Sequence, residues 1–459
     1  MKNNKTIIDI GFIGLGSMGY NLALNLISKG FIIHGYDPNF NKKKVDNLLI
    51  YSSIKNLCSS IKSLPKIIML SLPSTEIDRT ILELIKRMKK NDIVVDLGNS
   101  FYLDSIKRYN LLKKSNLNFL AVGVSGGPLG AKNGPSIMAG GSNKAWKKIK
   151  NVFETMAAKD KTQTSCVYFG GPGNGHFIKM IHNGIEYAFM QALAEISLIL
   201  QKTFCLNYFQ QKQIFQSLLK TDVSCYLIQV TSEIICAKSN NRIFIDIIDN
   251  QIGQNGTGNW TIKTALDLGV SVPTIYSALS TRMLSKNFQK NSKIINEIKK
   301  QKNIRINQRT ITDIIMFVFS CAMYQGISVI DAFNKNHTLN IDIDDVFKAW
   351  FNGSILQGRF LRVFFKNFNK HKICEKESLY KFINSQIISN LDDARKLIGI
   401  SNSLSIPIPV ISSSFNYYDT LFTNHKIGEI TQLQRSFFGQ HPLKSKNNLI
   451  LEPFWTKNE

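Results

Sequence analysis

The stretch IIDIGFIGLGSMG, residues 7–19 of this 459-residue chain, decides the fold of its first third. Ile7–Ile13 is a short apolar run of the kind that forms a buried parallel strand, and it leads directly into Gly14. Apolar residues at helical spacing follow over Met18–Lys29, and Gly30 ends that pattern. A strand, a glycine turn and a helix in immediate succession predict the first unit of a parallel α/β sheet.

The turn has the pattern G-x-G-x-x-G. In such a motif Gly14 permits the tight turn, Gly16 lets a pyrophosphate approach the backbone, and Gly19 lets the helix pack closely. The start of the helix then offers free N–H groups and a positive dipole end to the phosphates. We therefore predict a dinucleotide site that includes Gly14, Leu15, Gly16, Ser17, Met18 and Gly19.

A second predicted strand, Phe31–Tyr36, is followed by an acidic residue at the spacing expected for a ribose contact. Asp37 would accept a hydrogen bond from a free ribose 2′-hydroxyl and would repel a 2′-phosphate. Pro38 and Asn39 add no cation, although Lys42–Lys44 could reach a 2′-phosphate. On these residues we expect residues 37–39 to contact the cofactor, and we expect NAD to be favoured over NADP.

Strands and helices continue to alternate over the first third of the chain. Further short apolar runs lie at Ile67–Leu72, Ile93–Asp96 and Phe119–Val124, with a helical stretch near Glu76–Lys89. Strands that alternate with helices are typical of a parallel sheet with helices on both faces. The pattern predicts an α/β, Rossmann-like, doubly wound sheet.

The pattern changes at a glycine cluster, residues 170–175. Beyond it, apolar residues run at helical spacing to about residue 430, for example over Ile311–Gln325 and Ser378–Gly399. We therefore predict a dinucleotide-binding domain over residues 1–175, a large all-α domain over 176–433 and an extended C-terminal tail, or arm, over 434–459.

The composition is that of a globular chain with an excess of lysine. Hydrophobic residues make up 44% and charged residues 19%, which is too apolar for a disordered chain. The net charge is +25, but 46 of the 57 cationic residues are lysines, and they are scattered along the chain. Lysine, asparagine and isoleucine are favoured by AT-rich genomes, so we attribute the charge to compositional drift. A nucleic-acid binder is the alternative, and no nucleic-acid motif supports it.

Other features of the sequence argue against a membrane, secreted or metal-binding protein. No stretch reaches about 18 consecutive apolar residues, and the N-terminus lacks the layout of a signal peptide. The seven cysteines are odd in number and form no CxxC pair, which favours reduced thiols in the cytoplasm. The seven histidines are scattered without an HExxH pattern, so we expect no metal site.

The segment His176–Tyr187 is predicted to be a buried helix with one polar face. Lys179, Asn183 and Glu186 fall at i, i+4 and i+7, and His182 is adjacent. Lysine and glutamate in a buried helix need partners or a function. A structural polar network is one interpretation. The other is a cleft beside a nicotinamide, where a desolvated lysine near the positive ring can lose its proton and act as a general base.

Polar residues and glycines also follow two of the predicted strands. Ser125, Gly126 and Gly127 come at the end of one strand, and Asn99 follows another. Open α/β sheets place their ligands at the carboxyl ends of the strands, so these residues could share a crevice. A plain turn at residues 125–127 is the alternative interpretation.

Taken together, the motifs resemble those of 6-phosphogluconate dehydrogenases, in the same order and over about the whole chain. The segments that carry the resemblance, beyond the glycine turn, are DLGNS (96–100), VSGG (124–127), GPSIMAGG (134–141), GHFIKMIHNGIEY (175–187), QNGTGNWT (254–261) and QRSFFGQH (434–441). The HNGIEY and QRxxFGxH segments are specific to that family. The shorter 3-hydroxyisobutyrate-type dehydrogenases share only the first half of this set.

The resemblance implies an oxidative decarboxylation of the pentose phosphate pathway. In that reaction 6-phosphogluconate is oxidised at C3 by hydride transfer to NAD(P)+, the β-keto acid loses CO2, and the enediol becomes ribulose 5-phosphate. Lys179 would take the C3 hydroxyl proton and return it to the keto oxygen, and Glu186 would protonate C1 of the enediol. No metal is implied, because the protonated lysine stabilises the developing charge.

The resemblance also implies how substrate, cofactor and partner subunit meet. Asn99 would serve both cofactor and substrate, and the all-α domain would form a homodimer in which Arg435 and His441 complete the partner's site. The implied contacts to the sugar acid are Asn99, Ser125, Gly126, Gly127, His182 and Asn183. The implied contacts at the phosphate end are Tyr187, Asn255, Thr257, Arg282, Arg435 and His441.

Three positions depart from the pattern that is usual in the family. Asn255 stands where a lysine is usual, which removes a cation from the phosphate end, and Pro128–Leu129 stands where two acidic residues are usual. Residues 37–39 replace an Asn-Arg-Thr sequence that reads the 2′-phosphate of NADP, the family's usual cofactor. None of these departures touches Lys179 or Glu186.

Two other interpretations lie closer to enzymes of the same fold. A 3-hydroxyacid dehydrogenase without a phosphate site would not need Arg282, Arg435 or His441. A catalytically decayed dinucleotide-binding protein would be supported only by the departures, and the intact Lys179 and Glu186 oppose it.

Overall fold

A computed structural model of the chain describes residues 9–43, 45–161, 163–287, 307–337, 340–371, 391–422, 426–453 and 455. The chain divides into two compact units, residues 1–414 and residues 415–459. The first unit contains a large sheet followed by a helical region.

The sheet has eight strands in the order β3-β2-β1-β4-β5-β6-β7-β8. Neighbouring strands are parallel except for the β6–β7 pair, which is antiparallel. The chain crosses from β3 at the edge of the sheet to β4 beside β1, which reverses the strand order and creates a switch point between β1 and β4, where such sheets bind ligands. The strands are β1 (Asp9–Ile13), β2 (Ile32–Tyr36), β3 (Leu48–Ile50), β4 (Ile67–Leu70), β5 (Ile93–Asp96), β6 (Asn118–Ser125), β7 (Ser136–Gly141) and β8 (Cys166–Tyr168).

Helices cover both faces of this sheet. One core contains Leu26 of the first helix and Phe153 of the sixth, and the other contains Ile81 of the third and Leu112 of the fourth. The prediction of a doubly wound α/β sheet is therefore confirmed. The helices are α1 (Ser17–Ser28), α2 (Ile54–Ser60), α3 (Ser74–Ile85), α4 (Tyr102–Lys114), α5 (Gly127–Asn133) and α6 (Asn143–Met156).

Some boundaries differ from those expected from the sequence. Strand β4 ends at Leu70 rather than Leu72, since Pro73 has no N–H to continue a ladder. The sequence pattern did not predict β3, β7 or β8. Two of these are three residues long, and β7 ends in two glycines, so none shows the apolar run that identifies a buried strand.

The rest of the chain is largely helical, which confirms the predicted α/β-then-all-α order. Ile311–Gln325 lies inside a helix that spans Gln308–His337, while residues 378–390 of the predicted helix Ser378–Gly399 lie outside the described residues. The helices are α7 (Asn174–Lys202), α8 (Tyr208–Leu218), α9 (Tyr226–Ile234), α10 (Phe244–Ile247), α11 (Thr257–Asp267), α12 (Pro273–Leu284), α13 (Gln308–His337), α14 (Ile343–Trp350), α15 (Arg359–His371), α16 (Leu391–Ser403), α17 (Pro409–Phe422) and α18 (Ile427–Gly439).

Two small hairpins and one 3₁₀ turn complete the described elements. The hairpins pair β9 (Lys238–Ser239) with β10 (Arg242–Ile243) and β11 (Leu443–Lys444) with β12 (Ile450–Leu451), and the 3₁₀ turn is Ser285–Asn287. In the second unit the indole N–H of Trp455 donates to Ser436 on α18 at 3.1 Å. The predicted tail thus contains a short hairpin.

Helix α13 is long and apolar enough to cross a membrane by length and composition alone, and 94% of its most apolar stretch is buried inside the protein. It packs along α7. The core helix of a soluble protein has the same character.

The N-terminal half of α7 lies directly on the sheet because glycines remove side chains from the interface. A Cβ at Gly123 of β6 would overlap the Lys179 side chain, and a Cβ at Gly175 would overlap the carbonyl oxygens of Ala121 and Met138. This close approach buries Lys179 against the sheet.

We predict that Gly123→Ala destabilises the protein, because the added methyl must displace Lys179. Overpacking of this kind typically costs about 1–3 kcal/mol, so the thermal midpoint measured by circular dichroism should fall. Gly399→Ala is the matched control, since its Cβ would meet no heavy atom within 4 Å, and its midpoint should be unchanged or slightly higher. Equal midpoints for the two variants would contradict the interpretation of Gly123.

Candidate active site

The glycine turn leaves open space in front of the first turn of α1. Gly14 has φ +88°, and a Cβ there would overlap the carbonyl of Ser71. Gly16 is the N-cap of α1, no side chain caps the helix, and a Cβ at Gly16 would meet no atom within 4 Å. The free amides and the open approach fit the phosphates of a dinucleotide.

A cleft of about 610 Å³ opens beside this turn. It is lined by Gly14, Gly16 and residues 37–39, so the structure brings the glycine turn and the end of β2 together. Helix α3 adds Glu76, Arg79 and Glu83, which the sequence analysis did not identify. In the sequence, only their position on the helix after β4 could have indicated a place at the cofactor cleft, because β4 lies next to β1.

Asp37 is tied into the backbone of the turn. One carboxylate oxygen accepts a hydrogen bond from the N–H of Leu15 at 2.7 Å, and the other accepts from the N–H of Asn39 at 2.8 Å. Lys42 and Lys43 lie in an irregular, exposed segment. Lys44 lies outside the described residues.

Lys179 is buried on α7, with 7% of its surface exposed. Its Nζ donates to Oδ1 of Asn183 at 2.7 Å. Burial lowers the pKa of Lys179 to about 8, and the nearby carboxylate of Glu186 opposes part of that shift. An amine with this pKa can accept a proton near neutral pH.

His182 lies at the centre of the polar cluster. Its Nε2 is 3.2 Å from Oγ of Ser125, and its Nδ1 is 3.3 Å from Oδ1 of Asn183 and 3.6 Å from a carboxylate oxygen of Glu186. Burial, with Lys179 nearby, holds the pKa of His182 well below its usual value. Burial also raises the pKa of Glu186, against the opposing charges of Lys179 and Arg282.

A second cluster continues from the same helix. The guanidinium of Arg282 lies 3.5 Å above the ring of Tyr187, and the Tyr187 hydroxyl is 3.5 Å from Oγ1 of Thr257. Arg282 is 8% exposed. Asn255 lies in the exposed loop before α11. The clustered side chains of Arg282, Tyr187 and Thr257 offer a cation and two hydroxyls, a set suited to a phosphate.

The loop that carries Asn99 is held by a buried network that the sequence analysis missed. The side chain of Asp96 accepts hydrogen bonds from Ser100 at 2.8 Å and from Arg108 at 3.2 Å. His176 of α7 contacts the carbonyl of Asp96 at 3.2 Å. Arg108 is 4% exposed on α4; a single arginine in an otherwise ordinary amphipathic helix gave no signal.

The structure thus brings several predicted residues into contact, while others are exposed. Gly126 precedes α5 and Gly127 begins it, both with positive φ, while Asn99, Pro128 and Leu129 are exposed. Arg435, exposed on α18, and His441 belong to the second unit, and their role at a substrate stays a prediction. Among the described residues, no group of three His, Cys, Asp or Glu side chains is arranged to hold a metal ion.

A glycine turn at the switch point of a parallel sheet, together with a buried lysine of lowered pKa and a carboxylate on one helix, defines a dinucleotide-dependent dehydrogenase. Residues 9–171 match the family model of the NAD binding domain of 6-phosphogluconate dehydrogenase, and residues 175–455 match that of the 6-phosphogluconate dehydrogenase C-terminal domain. The chain belongs to the 6-phosphogluconate dehydrogenase family.

Individual relatives match over nearly the whole chain. The NADP(+)-dependent, decarboxylating 6-phosphogluconate dehydrogenase of Bacillus subtilis is 30% identical, over 94% of this chain and 95% of its own. The decarboxylating 6-phosphogluconate dehydrogenase of Caenorhabditis elegans is 31% identical, over 98% and 96%. The 6-phosphogluconate dehydrogenase of Plasmodium falciparum, solved in its apo form and with NADP+ or 6-phosphogluconate, superposes with a TM-score of 0.85 at 27% identity, covering 97% of this chain and 100% of that one. Matches of this extent favour this family over the shorter 3-hydroxyisobutyrate type.

Proposed function

We propose that this chain oxidises and decarboxylates 6-phospho-D-gluconate to D-ribulose 5-phosphate and CO2, with reduction of NAD(P)+. The observation that carries the proposal is the buried Lys179, hydrogen-bonded to Asn183 and placed on the same helix as Glu186. The names of the B. subtilis and C. elegans relatives support the same reaction.

Oxidation needs a base at the C3 hydroxyl. Lys179, with its pKa near 8, takes that proton, and Asn183 holds the amine in place. The glycine turn and residues 37–39 hold the dinucleotide, which when bound accepts the C3 hydride. Oxidation leaves Lys179 as an ammonium next to the new keto oxygen.

Decarboxylation uses the proton that Lys179 has gained. As the bond to the carboxylate breaks, the electron pair moves toward the C3 oxygen, and Lys179 returns its proton there. Glu186 then protonates C1 of the enediol, which is C2 of the substrate, while the hydroxyl on the former C3 gives its proton back to Lys179 and becomes the ketone of ribulose 5-phosphate. Because burial raises the pKa of Glu186, its carboxyl group holds that proton more readily than an exposed glutamate would.

The two side-chain clusters described above bind the two ends of the substrate. Tyr187, Thr257 and Arg282 are placed to hold the phosphate end. The residues assigned to the sugar acid are Asn99, Ser125, Gly126, Gly127, His182 and Asn183. The lysine supplies the charge stabilisation that a metal ion supplies in other decarboxylases, so the mechanism needs no metal.

We also expect the enzyme to work in the cytoplasm. Six cysteines among the described residues are free thiols, as is usual in a reducing compartment. Cys374 lies outside the described residues.

The ionisation of Lys179 should set the pH dependence of the reaction. Purified protein should reduce a nicotinamide dinucleotide, followed at 340 nm, only when 6-phosphogluconate is present. Because Lys179 must be neutral to accept a proton, kcat/KM should rise with pH up to about 8, the pKa given above, and then level off. Lys179→Met should lower kcat/KM by about 10²- to 10⁴-fold while dinucleotide binding persists.

Lys202→Met is the matched control, since Lys202 lies exposed near the end of the same helix. It should keep wild-type kinetics. Near-wild-type turnover in Lys179→Met would remove Lys179 from the mechanism, and inactivity of the wild type with both cofactors would overturn the proposed reaction.

We further propose that NAD+ serves this enzyme at least as well as NADP+. The cofactor cleft carries the carboxylates of Asp37, Glu76 and Glu83 and the guanidinium of Arg79. Two like charges about 4 Å apart repel by about 1–4 kcal/mol, depending on the effective dielectric. A 2′-phosphate next to Asp37 would therefore weaken binding by about five-fold to several hundred-fold.

Accordingly, kcat/KM for NAD+ should equal or exceed that for NADP+, and Pro38→Arg should shift the ratio toward NADP+ by adding a cation at the exposed end of β2. Asn39→Gln is the neutral control and should leave the ratio unchanged. A wild-type preference for NADP+ above about tenfold would refute the proposal. If Arg79→Met then abolished that preference, Arg79 on α3 would be the cation that neutralises the 2′-phosphate.

A homodimer in which each arm reaches the other subunit's site is the last part of the proposal. The first unit exposes apolar side chains beside an apolar groove of about 400 Å³, among them Met190, Ile234 and Ile245. The second unit exposes Phe437 (63%) and Phe438 (76%) next to Arg435. Large exposed apolar patches are typical of interfaces, and a second copy of this chain is the partner we assign to them.

Co-expression of two inactive variants tests the exchange of arms. If Arg435 acts across the interface, a dimer of one Lys179→Met and one Arg435→Met subunit contains one complete site. Random pairing in a two-fold dimer should then restore about a quarter of wild-type activity. If each arm serves its own subunit, both sites of the mixed dimer are damaged and no activity returns.

A further inference from the structure

The turn that follows α14 reaches the centre of the active site from the helical region. Trp350, the last residue of α14, is fully buried, and its ring packs edge-to-face with the ring of His182, with centroids 5.6 Å apart and planes at 77°. Five residues later, the backbone N–H of Ile355 donates to Oγ of Ser125 at 3.3 Å. One short turn therefore contacts both Ser125 and His182.

The two oxygens beside Nδ1 of His182 favour one direction for a chain of hydrogen bonds. Since Oγ of Ser125 accepts from Ile355, its own hydrogen is available to Nε2 of His182. The neutral ring then carries its proton on Nδ1, which faces the oxygens of Asn183 and Glu186. The opposite tautomer would set the Nδ1 lone pair against those two acceptors.

The orientation of Asn183 follows from the same chain. Its Oδ1 accepts from Nζ of Lys179 and lies within reach of Nδ1 of His182. The amide nitrogen of Asn183 is thus the end left to donate to a substrate oxygen. A change at Ser125 or His182 would alter the group that holds the catalytic amine.

The turn is itself fixed to the sheet. Ser136 of β7 donates to the carbonyl of Ala349 at 2.7 Å, and Ser354 donates to the carbonyl of Trp350 at 2.6 Å. A Cβ at Gly126 would overlap the carbonyl of Gly353, so glycine at 126 lets the turn approach the end of β6. A turn held in this way can position other groups without moving.

We propose that Trp350 and Ile355 are positioning residues of the active site, which hold Ser125 and His182 so that Asn183 and Lys179 keep a single hydrogen-bonded arrangement. The inference rests on the proposed function for its kinetic consequences, while the state of His182 can be measured without substrate.

The ring of Trp350 acts here through its shape. Its indole N–H is buried and has no hydrogen-bond partner among the described residues, so a phenylalanine can keep the contact with His182. The charged groups that face His182 are Lys179 and Glu186 on α7, with Arg282 of α12 beside Glu186. His182 also contacts the Ser125 hydroxyl on β6 and the Trp350 indole on α14. Water admitted by a smaller side chain would let His182 bind a proton next to Lys179.

The kinetic test compares Trp350→Leu with Trp350→Phe. In Trp350→Leu, kcat/KM for 6-phosphogluconate should fall about tenfold to a hundredfold, as for other misplaced catalytic groups, and its acid limb should become steeper at low pH, because His182 now takes up a proton there as well as Lys179. The KM for the dinucleotide should not change. Trp350→Phe should restore both rate and profile. Trp146→Leu is the matched control: Trp146 is buried on α6 against Phe153 and Tyr168, and its loss should leave the profile unchanged.

The second readout is the titration of ¹³C-labelled histidines in the enzyme without ligands. The His182 signal, assigned by its loss in His182→Asn, should not titrate between about pH 5 and 8 in the wild type and should titrate in Trp350→Leu. If Trp350→Leu does not fold, Ile355→Pro removes the amide donor, leaves Trp350 in place and should lower kcat/KM in the same way. A silent His182 signal and an unchanged pH profile in a folded variant would overturn the proposal. Inactivity of the wild type toward 6-phosphogluconate would overturn the proposed reaction and leave the histidine result to decide this inference.

Discussion

The contact between α7 and the sheet is the constraint on which the rest of the structure depends. Gly123 and Gly175 let helix and strand approach until the Lys179 stem lies on β6. That contact excludes water from the amine, and exclusion of water is the main cause of its lowered pKa. The same approach places His182 within reach of Ser125 at the end of β6. The same close contact therefore determines both the packing of α7 and the acid–base chemistry of Lys179. A methyl group added at Gly123 would disturb both.

Burial moves the two catalytic candidates toward each other in proton affinity. The pKa of Lys179 falls to about 8 while that of Glu186 rises, so each group lies closer to neutrality than it would in water. A base whose pKa is lowered and an acid whose pKa is raised suit a reaction that first removes a proton and later returns one. His182 is held neutral between them and adds no third charge.

Features encoded in short sequence motifs could be predicted, whereas contacts between residues far apart in the sequence could not. The glycine turn, the helix that carries Lys179 and the alternating strands are each written in a short run of residues, and the fold predicted from them is confirmed. The structure also shows Lys179, His182 and Asn183 in contact, as their helical spacing indicated. The residues that were missed act across long stretches of sequence. Arg79 enters the cofactor cleft from another helix, and Ile355 donates to a residue 230 positions earlier.

The excess of positive charge lies on exposed lysines and not among the buried contacts of the active site. Lysines such as Lys147 and Lys148 are exposed, and an exposed charge changes stability little. Buried charges are instead paired: Arg108 contacts Asp96, and Glu195 accepts the backbone N–H groups of Val410 and Ile411. Drift toward lysine is tolerated where water screens the charge, and it is opposed where desolvation would have to be compensated. A positive surface also attracts anionic ligands from a distance, so for an enzyme whose proposed substrate and cofactor both carry phosphate, function does not oppose that drift.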